Sequence, residues 1–419
     1  MDKSLLIALD LNNNNNDLKE EIREMILLAE TLNFIIEDVI IQKRERIDPS
    51  TYFGKGKLET IKNQCGELKI NTIFINDELP PTQHKNIQKI FGKNILIIDR
   101  TKLILDIFTN HAKTKESKTQ VELAKLEYLM PRLTGMWTHL ERQAGGTGTR
   151  GGPGEKQIEI DRRLINKSIN KLKKDLTKIE NQKNTQRKSR ANLYKIAIVG
   201  YTNAGKSSLL KTLTGHNAYI KNQLFATLDT TTKKMKIKNN DVLISDTVGF
   251  LRKLPHNLIA SFKSTLKDIQ NCDLIIKLID INSTDIYGHL NTINSTLIEL
   301  KCDKKDSILV FNKIDLIKNQ LDFKKINLKY NNPLMISTLK KLKINELLNE
   351  IHNSINKNNT IYKVTLDFNE TDVIKFIYKK TSVINEKADD NSITFSFTSS
   401  REVYDKIQNI RKSSFSEDL

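Results

Sequence analysis

Cysteine, tryptophan and proline are scarce in this chain of 419 residues, which contains 3 Cys, 1 Trp and 7 Pro. The cysteines Cys65, Cys272 and Cys302 lie far apart, without CxxC spacing or a Cys/His pairing. We therefore expect neither a disulfide framework nor a structural zinc site. Unpaired thiols are typical of a reducing compartment, and we expect a cytoplasmic protein.

Long apolar runs are also missing, because no stretch approaches the roughly 18 apolar residues that span a bilayer. The chain begins with Met1-Asp2-Lys3-Ser4, where an acid takes the place of the positive charge of a signal peptide. The apolar run Leu5–Leu9 that follows is short. We therefore expect no membrane partner and no secretion signal.

Positive charge is in excess, with 68 Lys and Arg against 50 Asp and Glu and a formal net charge of +18. A protein this basic usually binds a polyanion, and nucleic acid is the first candidate. The alternative is a coding bias towards Lys, Asn and Ile. The length predicts roughly three domains at about 150 residues each.

In residues 1–119, short β-rich runs alternate with helical stretches, which predicts a parallel, helix-covered sheet and an N-terminal α/β domain. The predicted strands are Leu5–Leu9, Val39–Ile41, Thr72–Ile75 and Ile95–Ile98. A turn, Gly54–Lys57, opens the helix after the second strand. It is either a plain turn or a phosphate-binding helix start.

Residues 120–192 carry two apolar seams at steps of three and four residues, which predicts an antiparallel helical hairpin. The seams are Leu123, Leu126, Met130 and Leu133, then Ile165, Ile169, Leu172, Leu176 and Ile179. Between them, the glycine-rich segment Gly145–Gly154 predicts a flexible tip. The second helix and its continuation to Arg190 carry eleven bases against three acids. This pattern indicates either a solvated helix face or an arm that faces RNA.

A phosphate-binding loop follows the predicted strand Lys195–Val199 directly. The loop reads Gly200-Tyr201-Thr202-Asn203-Ala204-Gly205-Lys206-Ser207. This is GxxxxGKS in the strand–loop–helix context that the motif requires. We expect Lys206 to meet the β- and γ-phosphates, and the Ser207 hydroxyl to bind Mg²⁺.

Three further motifs follow predicted strands in the order of a GTPase domain. They are Asp246-Thr247-Val248-Gly249, Asn312-Lys313-Ile314-Asp315 and Ser337-Thr338-Leu339. We expect Asp246 to hold Mg²⁺ through water, and the Gly249 N–H to sense the γ-phosphate. A carboxylate at Asp315 accepts the N1–H and N2–H₂ donors of guanine, which adenine lacks, so it selects GTP over ATP. Lys206 and Gly249 are predicted catalytic residues.

The threonine-rich segment after the P-loop is suited to a nucleotide switch, with one hydroxyl joining Mg²⁺. It reads Phe225-Ala226-Thr227-Leu228-Asp229-Thr230-Thr231-Thr232. Phe250 stands where Ras-type enzymes place a glutamine that orients water, and a phenyl ring makes no hydrogen bond to water. We expect slow intrinsic hydrolysis that a partner accelerates. Asn203 occupies the position that holds K⁺ in some such GTPases, so K⁺ stimulation is a hypothesis.

The predicted fold class is α/β. A P-loop GTPase domain with a mostly parallel sheet (193–358) follows the N-terminal α/β domain (1–119) and the hairpin (120–192). A small α+β C-terminal domain (359–419) ends the chain.

The chain resembles the HflX family of ribosome-associated GTPases. The resemblance rests on residues 48–57, 77–83, 99–101, 105–108 and 120–124, on the glycine-rich tip with Pro153-Gly154-Glu155, and on Phe225–Asp229. It implies that Thr227 is the switch threonine on Mg²⁺ beside Ser207, and so a third catalytic residue with Lys206 and Gly249. It also implies that the N-terminal domain binds the large ribosomal subunit, with the tip near the peptidyl-transferase region, and that GTP and GDP are the nucleotides.

The resemblance further implies the splitting or rescue of stalled ribosomes under stress. A GTPase that serves ribosome assembly, and a nucleotide-gated RNA-binding module with incidental turnover, are the alternatives. Some members of the family are credited with ATP use by the N-terminal domain, but this sequence has no second P-loop. We expect a monomer.

Overall fold

The computed structural model describes most of the chain. The described residues are 2–11, 15–133, 153–188, 193–215, 225, 230–238, 240–253, 263–317, 326, 328–330, 333–357, 360–389, 391–399 and 401–416. Residues 134–152, which include most of the predicted glycine-rich tip, and residues 226–229 of the predicted switch lie outside this set.

The N-terminal part is a four-stranded parallel sheet with the order β2-β1-β3-β4. Its strands are β1 (Asp2–Asp10), β2 (Phe34–Lys43), β3 (Thr72–Ile75) and β4 (Leu96–Asp99). Its helices are α1 (Asn15–Thr31), α2 (Lys55–Leu68), α3 (Pro81–Phe91) and α4 (Arg100–His111). Residues Leu5–Leu9 of β1 are buried because helices cover both faces of a parallel sheet. All four predicted strands are present, and β3 has the predicted ends.

Two helices follow and lie against each other. Helix α5 (Lys115–Leu129) ends in a short 3₁₀ turn, Met130–Arg132, and α6 spans Pro153–Lys188. At 1.5 Å per residue, the 36 residues of α6 extend about 54 Å. Helix α5 also packs on α4, and its residues Val121 and Ala124 belong to the core of the N-terminal sheet.

The part that carries the P-loop motif is a six-stranded sheet with the order β10-β9-β8-β5-β7-β6, in which only β6 runs antiparallel. Its strands are β5 (Tyr194–Gly200), β6 (Thr231–Ile237), β7 (Asn240–Asp246), β8 (Leu274–Asp280), β9 (Ser307–Asn312) and β10 (Leu334–Met335). Its helices are α7 (Lys206–Thr214), α8 (Lys263–Gln270), α9 (Ile286–Glu299) and α10 (Ile344–Asn356), and a 3₁₀ turn spans Ile314–Leu316.

The C-terminal part is an antiparallel sheet with the order β11-β13-β12. It comprises β11 (Thr360–Asp367), α11 (Thr371–Lys380), β12 (Ser382–Ala388), β13 (Ser392–Ser399) and α12 (Arg401–Ser416). Phe395 and Phe397 of the central strand are fully buried in its small core. The predicted fold class is confirmed. Within the described ranges, no helix is both long and apolar enough to cross a membrane.

Candidate nucleotide site

The predicted motifs meet at one edge of the six-stranded sheet. Strands β5, β7 and β9 run parallel, so their carboxyl ends lie at the same edge of the sheet. The P-loop leaves the end of β5, and Asp246 and Asn312 are the last residues of β7 and β9. Open α/β sheets bind ligands at this edge. Motifs that are far apart in the sequence therefore form one contiguous site in the folded chain.

Two glycines make the P-loop backbone possible. A Cβ atom on Gly200 would collide with the carbonyl oxygen of Leu278 on the neighbouring strand. Gly205 has φ of +94°, and a Cβ there would collide with the side chain of Asn312. Helix α7 begins directly after Gly205, so the positive end of its dipole faces the loop, where it favours a phosphate group.

Lys206 is the first residue of α7 and is only 7% exposed. Its ammonium donates to the carbonyl oxygens of Tyr201 at 2.8 Å and Gly200 at 3.2 Å. Burial lowers the pKa of Lys206 to about 8, although Asp246 opposes this shift. A bound phosphate would place negative charge beside this amine and so favour its charged form, against the effect of burial.

Ser207 and Asp246 form the second pair of the site. The Ser207 hydroxyl donates to Asp246 Oδ2 at 2.6 Å. The other oxygen, Oδ1, is buried and has no hydrogen-bond partner among the described residues. Burial raises the pKa of Asp246, with Lys206 acting in the opposite direction. A hydroxyl beside an unsatisfied carboxylate oxygen fits Mg²⁺, which takes oxygen ligands and retains water.

The segment after Asp246 lies on the P-loop. The Thr247 hydroxyl donates to the Ile198 carbonyl at 2.8 Å, and Val248 is buried. A Cβ placed on Gly249 would lie 2.8 Å from Thr202 Cγ2 and 3.0 Å from Lys206 Nζ. Gly249 is therefore in close contact with the position where a γ-phosphate is expected.

Phe250 is bound to the P-loop through its backbone. Its N–H donates to the Gly200 carbonyl, and its carbonyl accepts the Thr202 N–H, both at 3.0 Å. The ring is 3% exposed and packs in the core between the sheet and helices α8 and α9. The side chain therefore points into this core and offers no hydrogen-bonding group to the phosphate site.

The predicted guanine-recognition loops are tied to the P-loop by Asn312, which is fully buried. Its amide donates to the Ala204 carbonyl at 2.9 Å, and its Oδ1 accepts the Thr338 N–H at 3.1 Å. The Asp315 carboxylate accepts the Ser337 hydroxyl at 2.5 Å, so Ser337 fixes its orientation. A single amide thus connects the phosphate end of the site to the base end.

The remaining residues of the base loops are arranged around Asp315. The Ile314 N–H donates to the Ile336 carbonyl at 3.2 Å, and the Lys313 ammonium pairs with Asp280 at 2.7 Å. The side chain of Leu339 is 77% exposed, and the backbone contact of this loop with guanine stays a prediction.

Some predicted residues are less fully described. Asn203 is exposed with φ of +61°, and its K⁺ role stays a prediction. Ala226, Thr227, Leu228 and Asp229 lie outside the described residues, so the second predicted Mg²⁺ ligand, Thr227, also stays a prediction.

The N-terminal part reaches the site through contacts that the sequence analysis did not predict. Phe225, at the start of the predicted switch, is 3% exposed and packs edge-to-face on Phe108 of α4, with ring centroids 4.7 Å apart. Val248 and Leu251 belong to the same core as the N-terminal helices. Arg100 of α4 also contacts this region, since its guanidinium donates to the Arg252 carbonyl. It lies in the segment 99–101, which carries part of the family resemblance, but the sequence analysis gave it no role.

Comparison with known families agrees with this geometry. A family model described as "GTP-binding GTPase N-terminal" matches residues 19–109. A model described as "GTP-binding GTPase Middle Region" matches 111–190, and one described as "50S ribosome-binding GTPase" matches 195–313.

Curated relatives share substantial identity. GTPase HflX from Flavobacterium psychrophilum is 47% identical over 280 residues, which cover 67% of this chain and 67% of the relative. GTPase HflX from Caldanaerobacter subterraneus is 43% identical over 282 residues, or 67% and 64% of the two chains. The match to Escherichia coli GTPase HflX is 40% over 264 residues, or 62% and 61%. The matched region thus spans about two thirds of each relative.

Among solved structures, a GTP-binding protein from Sulfolobus solfataricus in complex with GDP aligns over 84% of this chain and 98% of its own. Its identity is 27% and its TM-score is 0.42. The sequence matches, together with the assembled P-loop and guanine loops, settle the classification: the chain belongs to the HflX family of GTPases and is a P-loop GTP hydrolase.

Proposed function

We propose that this GTPase binds the large ribosomal subunit in its GTP state, hydrolyses GTP to GDP and phosphate, and thereby splits or rescues stalled ribosomes under stress. The observation that carries the nucleotide chemistry is the double hydrogen bond of Asn312. It holds the phosphate loop and the guanine loop together as one site. GTP and GDP are the nucleotides, and the cytoplasm is the proposed location.

The chain supplies charge and orientation to phosphoryl transfer. Lys206 places a positive charge at the β- and γ-phosphates, and the Gly249 N–H binds the γ-phosphate. Ser207 and Thr227 would hold Mg²⁺ directly, and Asp246 would hold it through water. When bound, Mg²⁺ neutralises the charge that develops on the phosphate oxygens. The protein groups act mainly by positioning and by electrostatic stabilisation.

The burial of Phe250 supports activation by a partner. Its ring lies in the hydrophobic core and leaves no side-chain hydrogen-bonding group at that position to orient the attacking water. We infer that hydrolysis is slow in the isolated protein. A partner that supplies or reorients a polar group then accelerates it.

Helix α6 supports binding to RNA. Four of its basic side chains are exposed and form no ion pair with the residues that the structure describes: Arg162, Lys167, Lys171 and Lys174. Positions 167, 171 and 174 follow helical spacing and lie on one face. Phosphate contacts by such a face release counterions, so binding should weaken steeply as salt rises.

Co-sedimentation with purified ribosomal subunits tests this function. We expect pelleting with the large subunit in the presence of a non-hydrolysable GTP analogue, and less pelleting with GDP or without nucleotide. The triple change of Lys167, Lys171 and Lys174 to Glu should abolish it. A matched change of the exposed Lys363, Lys375 and Lys387 to Glu in the C-terminal part should not.

Two further assays separate the alternatives. Dissociation of intact ribosomes into subunits distinguishes splitting from a role in assembly, because both use the same basic face. If Lys206→Ala abolished hydrolysis but left all cellular activity intact, the nucleotide-gated RNA-binding module would be the better description. Equal turnover rates in K⁺ and Na⁺ would remove the proposed role of Asn203.

A further inference from the structure

A buried polar network joins the P-loop to the N-terminal part of the chain. The side chain of Tyr201, the second residue of the P-loop, is 6% exposed. Its hydroxyl hydrogen-bonds the carboxylate of Glu24 on α1 and accepts the Arg252 N–H at 3.0 Å. One P-loop side chain therefore contacts both the N-terminal part and the loop that follows Gly249.

Arg100 of α4 completes this network from the other side. Its guanidinium is 1% exposed, forms an ion pair with Glu24, and donates to the Arg252 carbonyl at 3.1 Å. The N–H and the C=O of Arg252 are thus both bound, one by Tyr201 and the other by Arg100. Partly buried backbone groups held in this way resist displacement, because breaking either hydrogen bond leaves a polar group without its partner.

Adjacent contacts fix the same segment. Leu251 is 3% exposed in the core that it shares with the N-terminal helices. The Lys253 ammonium lies between Glu21, at 2.7 Å, and Asp77, at 2.9 Å. The three consecutive residues Leu251–Lys253 are therefore held by the N-terminal part through apolar, hydrogen-bonding and ionic contacts.

This segment begins two residues after Gly249, which lies against Thr202 and the Lys206 ammonium. A γ-phosphate that binds both that ammonium and the Gly249 N–H needs space between them, so we expect Gly249 to move outwards when GTP binds. GDP ends at the β-phosphate and makes no such demand. We therefore expect the described arrangement of Leu251–Lys253 to favour GDP and to change when GTP binds.

We propose that Glu24 and Arg100 are positioning residues that make the site discriminate between GDP and GTP. By holding Tyr201 and the Arg252 backbone, they keep Gly249 near Lys206 and selectively weaken GTP binding. By thermodynamic reciprocity, a bound γ-phosphate loosens the contacts between the N-terminal and GTPase parts. This inference rests on the proposed function, in which the GTP state is the one that engages the large subunit.

The test measures the equilibrium affinities of the full-length chain for fluorescent GDP and for a fluorescent non-hydrolysable GTP analogue. Glu24→Gln and Tyr201→Phe each weaken the network while nearly keeping side-chain size. In each, we expect the ratio of the analogue Kd to the GDP Kd to fall about tenfold. Glu30→Gln, the same change at an exposed position of α1, should leave the ratio unchanged.

The double variant Glu24→Gln/Tyr201→Phe should change the ratio by less than the product of the two single effects, because both changes weaken the shared contact between Tyr201 and Glu24. An unchanged ratio in the folded variants, or an equal change for both nucleotides, would overturn the inference. If Glu24→Gln does not fold, Tyr201→Phe alone decides the outcome. If the unmodified chain binds neither nucleotide, the proposed function itself is wrong.

Discussion

The ring of Tyr201 stacks on the imidazole of His289, with centroids 3.8 Å apart and planes inclined by 12°. The P-loop is thereby packed against helix α9, which lies outside the predicted nucleotide motifs. His289 Nδ1 also lies 3.2 Å from the Ser283 hydroxyl. Burial, helped by the positive charge of Arg252, lowers the pKa of His289 to about 4.

This depressed pKa predicts a pH dependence of stability. An unfolded histidine has a pKa of about 6.5, so the unfolded chain binds more protons between pH 4 and 6.5. The free energy of unfolding should therefore fall as the pH falls through this window, by up to about 3 kcal/mol from His289. Urea unfolding at pH 5 and pH 7 checks the prediction. In His289→Gln, the fall in the free energy of unfolding between pH 7 and pH 5 should be smaller by this amount. An equal fall in the variant and the unmodified chain would contradict a depressed pKa of His289.

Lys206 is expected to be essential for turnover. Lys206→Ala should lower the rate of GTP hydrolysis at least about 100-fold, because it removes the charge at the transferring phosphate. Lys211→Ala, one turn later on α7, is the matched control and should stay near the unmodified rate. A phosphate-release assay at saturating GTP measures both variants. Comparable losses in the two variants would mean that helix α7 is damaged in general.

Asp315 is expected to select the base. Asp315→Asn replaces an acceptor pair by an amide that donates to the base edge. GTP affinity should then fall by at least about 100-fold, while xanthosine triphosphate, which has a carbonyl at that edge, should bind more tightly than before. Competition binding with GTP and with xanthosine triphosphate measures the ratio of the two affinities. The neighbouring Lys340→Ala, which changes an exposed side chain, serves as the control.

Phe108 is expected to stabilise the contact between the two parts of the chain. It is 1% exposed, and Phe108→Ala should cost about 3–5 kcal/mol because it leaves a cavity in the shared core under Phe225. In urea unfolding, the midpoint of the transition that disrupts this shared core should fall to a lower urea concentration. Phe368→Ala, at a side chain that is 46% exposed, should change stability by less than about 1 kcal/mol.

Much of the nucleotide site could be predicted from the sequence, because its motifs are local. GxxxxGKS combines a strand, a turn and a helix within a short segment, and the ends of parallel strands bring Asp246 and Asn312 to it. Even the β3 boundaries, Thr72 and Ile75, follow from a short apolar run between polar residues.

The contacts between the parts could not be predicted in the same way. Glu24 and Tyr201 are 177 residues apart, and Arg100 and Arg252 are 152 residues apart. No periodicity or spacing connects such pairs. A glutamate on a helix usually lies in solvent, so Glu24 gives no local signal of burial. The two hydrogen bonds of Asn312, to Ala204 and Thr338, likewise could not be predicted, because these residues meet only in the folded sheet.

The most direct test of the account is GTP turnover by the full-length chain with and without purified large ribosomal subunits, with small subunits as the control. The account predicts slow turnover alone, because Phe250 is buried, and a rise of more than about tenfold with large subunits only. Turnover that large subunits leave unchanged, or that small subunits raise equally, would contradict it.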